Sequence, residues 1–279
     1  MQSEKKMYQG EEILSHLEEI TKRNYLHFEL RGLTKPTRDI LNEVIQGILT
    51  KIEANPLASF HLFSGLMEAL LNAVKGNLRH VIFKDELFQK ISKSKDTESK
   101  QEAEELLNVI LDTSPLRDAM QRYVVPEKLK KTVQKILQLQ DKTRSRKINL
   151  SDPEISFMNE VKSKITKNDQ KISMKIRISD KELYIRIRND APILGLDYKR
   201  IEASREKHAV LAKEGRSTEF FRPDFLDEKE SAGFGIAMID EGFYNMGIDP
   251  LENFTIVTSN HTTTAYLTYP IDALQKMDF

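Results

Sequence analysis

The chain has 279 residues, and its 43 basic and 43 acidic side chains give a formal net charge of zero. It has no cysteine, which excludes disulfides, thiolate metal sites and cysteine nucleophiles. The balanced charge does not favour binding to nucleic acid or to an anionic membrane surface. It does not exclude a local patch of basic residues. No long apolar run predicts a membrane-spanning helix, and the first residues lack a secretory pattern, so we expect a cytoplasmic protein.

The first part of the chain is predicted to hold one strand between helices. A short helix is predicted over residues 11–22, and polar and apolar side chains alternate over 25–30 as in a strand. Apolar residues recur at helical spacing over 40–52 and again over 57–78.

The middle of the chain, residues 79–170, is predicted to be a helical insertion. Apolar side chains at helical spacing indicate helices around Leu107–Leu111, around Leu129–Leu137 and over 154–165. Charged, turn-rich segments connect them.

The last part returns to strands. Alternation predicts a hairpin over 172–187 and two closing strands over 254–258 and 264–269. The segment 197–230 is charged and irregular, with a helix predicted near Arg200–Leu211, and a glycine-opened helix follows over 232–245.

Three side chains in the segment GLMEALLNAVKGNL share one helical face: Glu68, Asn72 and Lys75. An amide oxygen is a suitable ligand for Mg²⁺, a lysine neutralises phosphate, and a carboxylate can activate water. The spacing also fits a solvated stripe with an incidental ion pair.

Two further motifs lie later in the chain. Gly233 and Gly235 precede an apolar helical run, a pattern typical either of a phosphate-binding helix start or of a tight turn into a core helix. The strand LYIRIRN ends at Asn189 and Asp190, whose side chains could read a base edge or close an Asx turn.

In this order the motifs resemble the GHKL superfamily, which includes DNA gyrase, heat-shock chaperone ATPases, histidine kinases and mismatch-repair ATPases. EALLNAVK is similar to the family's N-box, IRIRNDAPI falls at its D-x-G-x-G strand end, SAGFGI at G-x-G-L-G-L, and TTTAYLTYP at its final strand. The resemblance covers roughly residues 24–78 and 171–270. It departs from the family at Asn189, where the family has an aspartate, and at Ala191 and Ile193, where it has glycines.

The resemblance implies an α+β fold, a two-layer α/β sandwich of the Bergerat type. Helices would cover one face of a mixed, mainly antiparallel sheet. Residues 1–78 and 171–279 would form the ATPase-like domain, 79–170 the helical insertion, and 197–230 a mobile lid whose phenylalanines pack only when it closes.

The resemblance also implies a Mg-ATP site. Glu68 would be the general base, Asn72 the Mg²⁺ ligand and Lys75 a phosphate contact. The further nucleotide-binding positions are Asn189, Asp190, Ala191, Gly233, Phe234, Gly235, Ile236 and Thr264.

A cytoplasmic regulatory ATPase or protein kinase follows from this resemblance, with a protein regulator or phosphoryl acceptor as partner. A homodimer is possible, but the sequence does not determine the oligomeric state. The alternative is a degenerate nucleotide sensor or a nucleotide-independent interaction module.

Overall fold

The architecture is α+β, as the sequence predicts. The computed structural model describes residues 22–92, 150–222 except 168, 231–276, and isolated helical positions between 131 and 142. The elements in chain order are β1 (Tyr25–Leu30), α1 (Lys35–Lys51), α2 (Pro56–Ser92), α3 (Asp152–Lys167), β2 (Ile172–Ile178), β3 (Glu182–Asn189), α4 (Gly195–Lys213), a 3₁₀ helix (Ser217–Phe221), α5 (Ser231–Asn245), α6 (Pro250–Asn253), β4 (Phe254–Thr258), β5 (Thr263–Pro270) and α7 (Ile271–Gln275).

The five strands form one sheet in the order β1-β2-β3-β5-β4. Every described strand pair is antiparallel, so the expectation of a mixed sheet is wrong. Tight turns join β2 to β3 and β4 to β5, and only antiparallel neighbours can be joined in this way. The predicted strand bounds over 25–30 and 254–258 are confirmed.

The core lies between one face of the sheet and the helices α1, α2 and α5. Inward-facing strand residues such as Ile176 and Ile185 are fully buried, and their neighbours on each strand face outward. On α5, the ring of Phe243 stacks on Tyr269 of β5 with 4.6 Å between centroids. This arrangement is the two-layer packing that an amphipathic sheet requires.

Helix α2 is longer than predicted, because it continues through residues 79–92 rather than ending at Leu78. No proline interrupts the segment after Leu78, and apolar side chains recur there. Leu78 belongs to a second, smaller core with Ile136, Leu139, Met158 and Val161. One helix therefore contributes to both cores. The predicted helix over 154–165 is confirmed as α3, whereas residues 93–130, with Leu107–Leu111 and Leu129, lie outside the described residues.

One described helix segment, Pro56–Gln89 of α2, is long and apolar enough to cross a membrane by composition alone. Leu62, Leu66 and Leu70 are completely buried against the sheet and the other helices. Of its 18-residue apolar window, 39% is buried inside the fold, and the structure is consistent with a soluble protein.

The described part of segment 197–230 is helical and packed, and the helix predicted near Arg200–Leu211 is confirmed. α4 covers most of it, and the 3₁₀ helix follows. Phe220 is buried with Leu211 and Ala237 of α5, and Phe221 packs against this cluster. Residues 223–230, including Phe225, lie outside the described residues.

Candidate functional site

Two motifs that are far apart in the sequence meet where α2 contacts α5. A Cβ atom built on Gly235 of α5 would lie 2.8 Å from Glu68 Oε2, 3.1 Å from Asn72 Nδ2 and 3.2 Å from Asn72 Oδ1. Real Cβ atoms essentially never approach as closely as the first of these distances. Glycine at position 235 therefore allows the backbone of α5 to reach these two side chains.

The two glycines lie in the first turns of α5, so the predicted glycine-opened helix over 232–245 is confirmed. Only the first four N–H groups of a helix lack a partner within the helix. Gly235 is the fifth residue of α5, so its N–H is a helical donor, and its role is close approach rather than phosphate binding. Gly233 lies in the first turn, where free N–H groups face outward along the helix axis.

The electrostatics of this contact are unusual for a surface stripe. Glu68 is half-buried, and burial raises the pKa of its carboxyl, with the Lys75 ammonium partly opposing the shift. Asn72 Nδ2 is buried and has no hydrogen-bond partner. An unsatisfied buried donor costs about 1–3 kcal/mol, so these groups are not placed for stability. Lys75 itself is half-buried.

A second polar cluster begins at Asn77 on α2, roughly 13.5 Å beyond Glu68 and 7.5 Å beyond Asn72 at 1.5 Å per residue. Asn189 at the end of β3 is buried, and its Nδ2 donates to Asn77 Oδ1 at 3.1 Å and to the Ala191 carbonyl at 3.3 Å. Asn77 Nδ2 donates in turn to the Lys171 carbonyl at 3.0 Å. Because both carbonyls can only accept, the network fixes the orientation of both amides.

Asn189 is the position at which the sequence predicts a side chain that recognises the base. In the structure, both amide hydrogens of Asn189 are already donated to groups of the protein itself. Gly76 permits the approach, since a Cβ there would lie 3.1 Å from Asn189 Nδ2. The Asp190 carboxylate accepts from the Lys171 backbone N–H at 3.0 Å and so closes the end of the β2–β3 hairpin. Ala191 is buried.

On the closing strand β5, Thr263 lies beside Asn189, whereas the predicted site residue Thr264 does not. Thr263 pairs with Asn189 across β3 and β5, so the two side chains face the same side of the sheet. Thr263 Oγ1 donates to the Ala191 carbonyl at 2.7 Å. Thr264 pairs with Arg188, so its side chain faces the other side of the sheet, away from Asn189.

Two other predicted positions on α5 lie apart from the contact with α2. Ile236 is buried in the main core. Phe234 is exposed, and its ring meets Phe221 edge-on with 5.4 Å between centroids. Neither side chain joins the Glu68 cluster.

Charged residues missed by the sequence reading lock α4 to α5. The Arg205 guanidinium donates to both carboxylate oxygens of Asp240, at 2.9–3.1 Å; Asp240 is buried, and the Arg205 side chain is 13% exposed. The ring of His208 is fully buried, and its Nε2 lies 3.1 Å from Glu241 Oε2. Burial raises the pKa of Asp240, and the Arg205 guanidinium opposes that shift. The charged composition of α4 therefore conceals buried positions that have polar partners.

Asn77 was also missed, although a signal exists. It lies on the buried stripe of α2 that includes Leu66, Leu70 and Ala73, and a polar residue on such a stripe needs a buried partner.

Among the described residues, no group of three or more histidine, aspartate or glutamate side chains could hold a metal ion by itself.

The chain matches no protein-family model, no curated protein and no solved structure.

Proposed function

We propose that this chain contains a GHKL-type domain that binds Mg-ATP along α2 and acts as a regulatory ATPase or protein kinase. The observation that supports this best is the close approach of Gly235 to Glu68 and Asn72. A solvated stripe would not need a glycine on a facing helix. The half-buried carboxyl and the unpaired buried amide at this contact favour a ligand that completes their interactions.

The roles follow from the chemistry of each group. The raised pKa of Glu68 makes its carboxylate a stronger proton acceptor, which suits activation of water or of a hydroxyl. Mg²⁺ in nucleotide sites is held by one or two protein oxygens together with phosphates, so the single amide oxygen of Asn72 is sufficient. Lys75 is one turn further along and would contact the phosphates.

The proposal extends to the setting of the protein. A kinase of this kind would act on a serine, threonine or histidine of another chain, and an ATPase would act through a protein regulator. We propose a cytoplasmic location for it, and a homodimer is compatible with the site because the described groups come from one chain.

A second function is favoured by the hydrogen bonds around Asn189. Both amide hydrogens of Asn189 are already used by Asn77 and Ala191, and α5 packs directly on Glu68. A domain that has lost its nucleotide and keeps the fold as a protein-interaction module would show this satisfied network.

Calorimetric titration of ATP, with and without Mg²⁺, separates the two functions. We expect ATP binding that Mg²⁺ strengthens in the wild type. Asn72→Ala should lose most of the strengthening, because it deletes the metal ligand. The matched control is Asn245→Ala, which removes an exposed carboxamide at the end of α5.

Unchanged Mg²⁺ dependence in Asn72→Ala would overturn the site assignment. Absence of binding by the wild type at millimolar ATP would instead support the interaction module.

A further inference from the structure

The outward face of the sheet carries a cluster of cations and aromatic rings. No described helix packs on this face, whose side chains alternate with the buried ones along each strand. We call it the open face, and its central residues are Lys175, Arg177, Tyr184, Arg186, Arg188 and Tyr266. Because the whole chain has zero net charge, this is a local excess of basic groups.

Cations and rings are neighbours across the strands. Lys175 lies directly opposite Arg186, Arg186 lies opposite Tyr266, and Arg177 lies opposite Tyr184. Like charges placed directly opposite each other on a sheet destabilise it. Arg177 forms an ion pair with Glu182 at 3.1 Å, but in the described part of the chain no ion pair involves Lys175 or Arg186.

Arg186 has the least favourable position of the group. Its side chain is half-buried, and its Nε is buried without a hydrogen-bond partner. A partly desolvated cation that lacks an anion costs free energy, and it attracts an incoming anion more strongly than an exposed cation does. The fold therefore maintains a positive centre that no described carboxylate neutralises.

The rings provide flat apolar surface beside this charge. Tyr184 and Tyr266 have their centroids 6.2 Å apart with planes inclined by 36°, and the Arg177 guanidinium lies 5.1 Å from the Tyr184 centroid. Arg186 and Arg188 are two residues apart on β3, which separates them by roughly 6.8 Å along the strand. Rows of cations with interleaved rings suit a chain that carries both phosphates and bases, since bases stack on rings and phosphates pair with cations.

We propose that the open face binds single-stranded nucleic acid. An acidic peptide would satisfy the cations but would leave the rings without stacking partners. The proposal does not rest on nucleotide binding along α2, because α2 packs on the opposite face of the sheet.

Fluorescence anisotropy tests it, with labelled oligouridylate and oligothymidylate of about 12 nucleotides, a length within the range that single-strand sites cover. The test variant is Lys175→Gln/Arg186→Gln. The control is Lys199→Gln/Lys213→Gln, which removes the same charge from exposed positions on α4. Thermal unfolding checks that each variant is folded.

The wild type should bind, and the open-face variant should bind about tenfold or more weakly while the control stays near the wild type. The slope of log affinity against log salt should fall by about 1.4, since each phosphate contact of a single strand contributes about 0.7. Tyr266→Leu should weaken binding by roughly tenfold at an unchanged salt slope, because it removes a stacking surface and no charge.

Equal weakening in the control would show unspecific attraction and overturn the proposal. Absence of binding, or tighter binding of polyglutamate than of either oligonucleotide, would also overturn it. If the double variant is unfolded, the Tyr266→Leu result decides.

Discussion

The two ends of the candidate site along α2 differ in how completely their polar groups are hydrogen-bonded. We call the cluster of Asn77 and Asn189 the base end, and the cluster of Glu68, Asn72 and Lys75 the phosphate end. At the base end, the amide hydrogens of Asn189 and Asn77 meet carbonyl or amide oxygens at 3.0–3.3 Å. At the phosphate end, Asn72 Nδ2 has no partner and the Glu68 carboxyl is partly desolvated. The base end therefore contributes to folding, whereas the phosphate end keeps unmet interactions that a ligand could complete.

The largest effect is expected at the base end, from Asn189→Asp. The sequence resemblance suggests that an aspartate would restore adenine recognition, but in the structure its second oxygen would face the oxygens of Asn77 and Ala191. Two hydrogen bonds would be lost and a buried charge would lack a partner, so unfolding free energy should fall by about 3 kcal/mol or more.

Urea unfolding near neutral pH measures this change. Asn245→Asp, an exposed change of the same chemistry, should stay within about 0.5 kcal/mol of the wild type. An Asn189→Asp protein as stable as the wild type, with tightened ATP binding, would show that the base end is a recognition site after all.

A smaller loss of stability is expected from Gly76→Ala. The new Cβ would lie 3.1 Å from Asn189 Nδ2, which two hydrogen bonds hold in place. Overpacking costs about 1–3 kcal/mol, and the higher helix propensity of alanine offsets about 1 kcal/mol of it. We expect a net loss of about 1 kcal/mol in denaturant unfolding. A gain in stability would mean that the network can shift freely.

Gly235→Ala, at the phosphate end, should reduce ATP affinity while leaving the free energy of unfolding nearly unchanged. Its Cβ would displace the flexible Glu68 carboxylate and crowd Asn72, so ATP affinity should fall by about tenfold, which corresponds to 1.4 kcal/mol. Calorimetry with Mg-ATP measures this.

Gly242→Ala, on the same helix, is the matched control, because its Cβ would lie 3.4 Å from the His61 carbonyl and away from the cluster. Equal losses of ATP affinity in both variants would point to a general effect of α5 packing.

The smallest effect is expected from Glu68→Gln in the metal-free protein. Because the pKa of Glu68 is raised in the folded state, the folded protein holds this proton more tightly than the unfolded chain does. Stability is therefore lost as pH rises through the folded pKa, and glutamine avoids that loss. Glu68→Gln should raise the melting temperature slightly at pH 7, and the difference should vanish below the ordinary glutamate pKa of about 4.3.

ATP hydrolysis, if present in the wild type, should disappear in the same variant. A lower melting temperature for Glu68→Gln at pH 7 would show that Glu68 is a stabilising partner of Lys75.

The strands and the Glu68–Asn72 face could be predicted from the sequence because both depend on local periodicity. Thr263 could not be separated from Thr264, since alternation fixes which residues share a face but not which face meets α2. The helix near Arg200–Leu211 could be predicted, but its packing on α5 could not, because Arg205 and His208 look solvent-exposed until Asp240 and Glu241 are placed beside them. The fixed orientation of Asn189 likewise depends on Asn77, a partner far away in the chain.

The unbroken course of α2 has a mechanical consequence. The helix has 37 residues, and about 30 Å of it lies between Asn72 and its end at Ser92. Its first part lies in the main core and its later part in the smaller core around Leu78. Because the helix is unbroken, a tilt of a few degrees about Asn72 would displace its far end at Ser92 by an ångström or more.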